Sequence, residues 1–215
     1  MKKIIFLGSL LLSFYGVSQS FQSQLLTYLQ NQREALGYQA TDVDALFVEN
    51  QSFSKSLNGH TVHATQMFQD IIVLNTTTSF LVKQGVVSAA KIGFESNLNT
   101  RVSSTTPSIS AAQALVAASN AMGVTASNTT LIETKENHLF VFDKGSISLY
   151  DIPVQLVLYP QDNGTIRLAW NTLIYTQDES KYAQLLIDAQ TGTVIKENNL
   201  LLSSFTTSIL ILNAY

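Results

Sequence analysis

Between Val62 and Gln69 the chain alternates strictly: Val62, Ala64, Gln66 and Phe68 point one way, and His63, Thr65, Met67 and Gln69 the other. A period of two is the signature of an extended strand with one buried face. A one-residue slip would turn every side chain over, so the pattern also specifies register. A second strand is expected from Ile72 to about Val82. Lys83-Gln84-Gly85 then reads as a hairpin turn in which Gly85 supplies positive φ, and Val86 to Phe94 returns as a third strand. Strands joined this tightly form an antiparallel meander.

The remaining segments place a helix before each of two meanders. Gln22 to Leu36 carries Leu25, Leu29 and Leu36 at helical spacing, with Gly37 as a stop signal, and a short strand is expected near Leu46 to Glu49. Residues 95–108 read as a polar linker ending in Pro107-Ser108. Ser110 and Gln113 have capping-box spacing, and Ala111, Leu115, Ala118 and Met122 form a narrow apolar stripe closed by Gly123. Strands follow at about 131–133, 138–142, 147–149 and 153–159. Asn163-Gly164 turns the chain into Ile166 to Thr176, and Tyr182 to Asp188 meets Thr193 to Lys196 across Ala189-Gln190-Thr191-Gly192. The expected class is α+β, with two helix-plus-antiparallel-sheet subdomains at 21–106 and 107–199.

Lys2 and Lys3 precede the apolar run Ile4 to Leu12, and Ser18 and Ser20 supply small residues for cleavage. This is the order of a secretory leader over residues 1–20, implying export to a periplasmic or extracellular space. The run is short for a bilayer span, and no stable membrane span is expected. Removing the two leader lysines leaves 10 basic against 15 acidic residues, near −5, which argues against a nucleic-acid partner. The absence of cysteine excludes disulfides, thiol catalysis and thiolate metal sites.

Catalytic signatures are missing from the sequence. There is no His-Glu-x-x-His, no glycine-rich phosphate loop after a strand and no Gly-x-Ser-x-Gly. His60 and His63 are three apart, which on a strand sets them on opposite faces, away from a shared metal. His138 precedes an apolar strand with no visible partner. Glu133, Glu136, Asp178 and Glu179 read as solvated loop charges, and Asp188 as a turn former bonding its local backbone. Trp170 alternates with Leu168 and Thr172, as a core aromatic or one wall of an interface would. Asn50, Asn75, Asn128 and Asn163 begin Asn-x-Ser/Thr triplets, which matter only in a host that glycosylates. No catalytic, cofactor or metal residues are assigned.

Two stretches resemble a known family. Val62 to Phe94 resembles the propeptide motif of fungalysin and thermolysin precursors (the FTP motif), through Val62, Gln66, Phe68, Ile71, Val73 and Asn75. Val157 to Asn199 resembles a PepSY domain, most recognisably in Leu168-Ala169-Trp170 and Asp188-Ala189-Gln190-Thr191-Gly192. With the elements between them these stretches cover nearly all of residues 22–200. The family-motif residues, structural or at an interface, are Gln66, Phe68, Ile71, Val73, Asn75, Trp170, Asp188 and Gly192. His63, Asp70 and Ile72 depart from the pattern, and Asp70 in place of glycine suggests an altered turn.

The resemblance implies a secreted, non-catalytic prosegment that assists folding of a fungalysin/thermolysin-type metallopeptidase, blocks its cleft, or both. It implies no cofactor for this chain, since zinc would belong to a protease domain absent here. Two alternatives stay open: a truncated remnant of a peptidase precursor, and a free-standing envelope module that binds peptide or protein. The tail from Leu200 to Tyr215 ends in an apolar run, Ile209 to Leu212, suited to a final strand, a docking segment or the remainder of a longer gene.

Overall fold

A computed structural model describes residues 19–126 and 129–201. The expected leader, Asn128 and the tail after Leu201 lie outside the described residues. Helix α1 (Gln19–Leu36) buries Phe21, Leu25 and Leu29, each four residues from the next, and stops at Gly37 with φ +77°. The buried face meets a meander of β1 (Leu46–Ser54), β2 (Gly59–Phe68), β4 (Thr78–Lys83) and β5 (Val86–Lys91), strand β3 (Ile71–Val73) lying between β2 and β4 in sequence. In space β2 lies between β1 and β4, and β4 pairs β5. Val62, Ala64, Phe80 and Val82 project from these strands into one core with α1.

The second half is a meander in sequence order. It comprises β6 (Leu131–Lys135), β7 (Leu139–Phe142), β8 (Ile152–Pro160), β9 (Ile166–Tyr175), β10 (Tyr182–Asp188) and β11 (Val194–Asn199). Between the halves run a single turn, α2 (Leu98–Arg101), and helix α3 (Ala111–Ala121). Helix α3 packs on one face of the second sheet. Ser110 caps it reciprocally with Gln113: the Gln113 N–H donates to Ser110 Oγ at 3.3 Å and the Ser110 N–H to Gln113 Oε1 at 2.8 Å. Ala111, Ala114, Leu115, Ala118 and Met122 are all buried, the alanines letting the helix lie close to the strands.

Strand β3 joins the halves. It leaves β2 through a two-residue hairpin in which Gln69 (φ +49°) and Asp70 (φ +63°) both adopt left-handed conformations, the geometry of a primed turn. It then pairs parallel with β8, Ile72 beside Val157 and Val73 beside Leu158, and the Leu74 N–H donates to the Leu158 carbonyl at 2.8 Å. Apart from an isolated parallel bridge between Val102 and Ile166, this is the only parallel pairing among the described residues. Through it the eleven strands form one hydrogen-bonded sheet, and the class is α+β with sheet dominating.

Several elements differ from the sequence expectation. The strand expected over Ile72–Val82 is two strands, because Asn75 takes φ +65° and turns the chain between β3 and β4. The segment expected as a linker is anchored: Leu98 is fully buried, and the backbone N–H groups of Asn97 and Leu98 both donate to the buried Asp42 carboxylate at 2.9 Å. The strand expected at 147–149 is a turn, with Ile147 buried beneath it.

Candidate functional site

The residues singled out by the sequence fall into two groups, linked along the chain by β2 and β3. Gln66 is fully buried at the far end of β2. Its Nε2 donates to the carbonyls of Asp42 (2.7 Å) and Glu95 (2.8 Å), and its Oε1 accepts from the Glu95 N–H at 2.8 Å. A buried amide with three such partners works as a clamp. It draws the segment after β5 against the turn before β1, beside the Asp42 carboxylate, which also accepts from the Gln39 N–H at 2.9 Å. Tyr38 closes the same corner, its hydroxyl donating to the Phe94 carbonyl at 3.2 Å. Burial, then the carboxylates of Glu95 and Asp42, raise the Tyr38 pKa above the ordinary tyrosine value.

Phe68, Ile71 and Val73 belong instead to the core under α3, together with Trp170. Asn75 is exposed at the turn, where its left-handed backbone carries the role. Trp170 is buried, stacks edge-on with Phe140 at 5.8 Å between centroids, and donates Nε1–H to the Ile109 carbonyl at 3.0 Å. Asp188 is buried at the end of β10. Its Oδ1 accepts from the N–H groups of Gln190 (2.8 Å) and Thr191 (3.0 Å), and its Oδ2 from Arg167 Nη1 at 3.1 Å. Gly192 completes that turn at φ +77°. The turn in turn holds the approach to α3: the Ser108 and Ile109 N–H groups donate to the Ala189 carbonyl at 2.9 and 3.1 Å.

Trp170, Asp188 and Gly192 therefore converge on residues 108–110 and set where α3 begins. Beside that point a cavity of about 610 Å³ opens between the first turn of α3 and the β6–β7 hairpin. Its walls are Pro107, Ile109, Leu131, Phe140, Phe142 and Trp170, with Ser108, Ser110 and Gln113 at the rim. Among the described residues β6 pairs with β7 alone, and its Leu131 and Ile132 are each about half exposed, at 51% and 52%. Such a groove has the size and lining to accept an apolar side chain or a small apolar ligand.

Titratable groups elsewhere do structural work. His60 lies between the rings of Phe21 and Phe53, and His63 Nδ1 is 2.9 Å from Ser79 Oγ. Both sit within β2. Among the described residues no three of His, Asp and Glu gather as metal ligands. Asp42 was not singled out from sequence, because nothing local marks a carboxylate whose partners, the Asn97 and Leu98 N–H groups, lie more than fifty residues away.

No known family profile and no curated protein match this chain. Among solved structures, the chain is similar to the C-terminal domain of Bacillus megaterium YpeB. It aligns at 16% identity with a TM-score of 0.36, over 84% of this chain and 63% of that one, so the chain spans less than two thirds of that structure. A likeness this distant transfers neither activity nor partner. No helix among the described residues is long and apolar enough to cross a membrane.

Proposed function

We propose that this chain is an exported, non-catalytic module of the propeptide type. Its partner would be a fungalysin/thermolysin-type metallopeptidase, which it helps to fold, inhibits, or both. The observation carrying the reading is the open apolar groove framed by Leu131, Phe140, Phe142 and Trp170, beside an edge of β6 that is unpaired among the described residues. An extended partner segment can satisfy such an edge with main-chain hydrogen bonds while an apolar side chain enters the groove. The partner's class rests on the resemblance of 62–94 to an FTP motif and of 157–199 to a PepSY domain. The residues carrying that resemblance are spent on the clamp at Gln66 and on positioning α3.

The test is inhibition and refolding. The protein is added to a purified fungalysin-type peptidase from the same source, and hydrolysis of a quenched peptide is followed. The expected result is inhibition absent against an unrelated metallopeptidase, or recovery of activity when the denatured peptidase is refolded with it. Leu131→Asp, at a half-exposed site the fold tolerates, weakens either effect. The absence of both inhibition and help in refolding refutes the peptidase partner and leaves a remnant or an independent peptide-binding module. An effect indifferent to Leu131→Asp keeps the partner and moves the contact elsewhere.

A further inference from the structure

Among the described residues a helix covers the second half of the sheet on one face only. Helix α3 packs where Trp170, Ile174, Leu185 and Ile187 point. On the opposite face Val157, Ala169 and Leu186 form a small apolar patch, covered by Leu74, Tyr159 and Ile195 rather than by a helix. Beyond that patch two rows of half-exposed side chains cross the strands. Tyr175 stands directly opposite Tyr182, ring centroids 5.0 Å apart, and Tyr150, 68% exposed just before β8, lies 6.3 Å from Tyr175. Beside these rings runs a chain of amides: Asn198 Nδ2 donates to Gln184 Oε1 at 3.0 Å, and Gln184 Nε2 to Asn171 Oδ1 at 2.9 Å.

The amide chain is open at both ends. Asn171 Nδ2 and Asn198 Oδ1 have no protein partner among the described residues, so one end offers a donor and the other an acceptor. The tyrosines add apolar rings with polar tips. The cations on this side of the strands are engaged: Lys196 Nζ lies 5.9 Å from the centre of the Tyr159 ring, and Arg167 is bonded to Asp188. With a net charge of −3 besides, the face holds no field for an anionic polymer. A peptide strand finds no backbone to pair with either, because β9 and β10 are bonded on both sides and present only side chains here. Uncharged amides beside aromatic rings match neutral sugar. A pyranose has an apolar C–H face that can lie on a ring, and a rim of hydroxyls that both donate and accept.

We propose that this face binds a neutral polysaccharide whose sugars are joined through equatorial bonds, as in cellulose, mannan and xylan. The rings of Tyr150, Tyr175 and Tyr182 stack on the C–H faces of the sugars, and the amides of Asn171, Gln184 and Asn198 hydrogen-bond their hydroxyls. Equatorial linkage keeps the chain a flat ribbon that lies along the tyrosine row, whereas an axially linked chain such as amylose coils away from it. The inference does not depend on the peptidase partner.

Proton–nitrogen NMR of the full chain, titrated with cellohexaose, mannohexaose and xylohexaose, tests it, because the side-chain amides of Asn171, Gln184 and Asn198 give signals of their own. The expected result is saturable shifts of those signals with at least one hexasaccharide, and much smaller shifts with maltohexaose. The Trp170 indole signal, on the face under α3, stays in place. Tyr150→Ala and Tyr182→Ala each weaken the affinity about tenfold. No saturable shift with any of the three hexasaccharides up to about 10 mM overturns the proposal. So do shifts confined to the groove beside α3, equal affinity for maltohexaose, or an affinity unchanged in Tyr150→Ala with its spectrum otherwise preserved. Should Tyr182→Ala fail to fold, the amide shifts of the parent chain and of Tyr150→Ala decide.

Discussion

Replacing Gln66 by leucine keeps the side-chain bulk and deletes every hydrogen bond of the clamp. Three backbone groups lose a partner: the Asp42 carbonyl, fully enclosed, and the Glu95 N–H and carbonyl, half-buried and open to some water. Orphaning an enclosed group costs about 2 kcal/mol, and the two partly wetted ones about 0.5 kcal/mol each, for a loss of about 3 kcal/mol. With a urea m-value of about 2 kcal/mol/M, the unfolding midpoint falls by about 1.5 M. Trp170, the single tryptophan, reports the core under α3, whereas far-UV circular dichroism reports both halves. Because β2 and β3 run from the clamp into that core, both signals shift together in one transition. A midpoint change below about 0.5 M would refute the energetic argument. A dichroism shift with Trp170 fluorescence unmoved would refute the coupling through β3.

Three further outcomes are expected. Gly192→Ala costs about 1–2 kcal/mol in urea unfolding: a Cβ there lies 3.7 Å from Ile109 Cδ1 without a clash, so only the left-handed backbone at φ +77° is strained. Trp170→Phe removes the bond to the Ile109 carbonyl, costs about 1–2 kcal/mol, and speeds amide exchange at Ser108 and Ile109, which that bond helps to hold against Ala189. The Asp178 carboxyl, held by hydrogen bonds from Thr176 and Ser180, titrates low, at about 2, against about 3.9 for a free aspartate. A depressed folded value means that its contribution to stability is complete above the unfolded pKa and is lost as pH falls through about 2. An NMR titration of Asp178 shows the low midpoint, moving upward in Thr176→Val.

The contrast between local and distant cues runs through the whole chain. The extent of α1 to Gly37, the capping box of Ser110 and Gln113, the apolar stripe of α3 and the alternation along β2 were all legible, because each depends on residues within a few positions of one another. Trp170 as a core aromatic and Asp188 as a turn former were legible for the same reason. The distant partners within each group were not: Trp170 reaches Ile109 across 61 residues, and Gln66 reaches Glu95 across 29. The groove likewise exists only where α3 and the β6–β7 hairpin stand apart on one sheet face.

The sequence by itself determined that the chain alternates helix and antiparallel meander, which face of each element is apolar, and where most turns fall. Those properties follow from side-chain periodicity and from the backbone preferences of glycine and asparagine. Only the tertiary structure decided that Ile71–Val73 breaks from its neighbours at Asn75 and pairs parallel with β8, making one sheet of the eleven strands among the described residues. Periodicity states which face of a strand is buried but is silent on its partner, because backbone hydrogen bonds are the same for every residue and pairing is chosen by which apolar surfaces can be covered together.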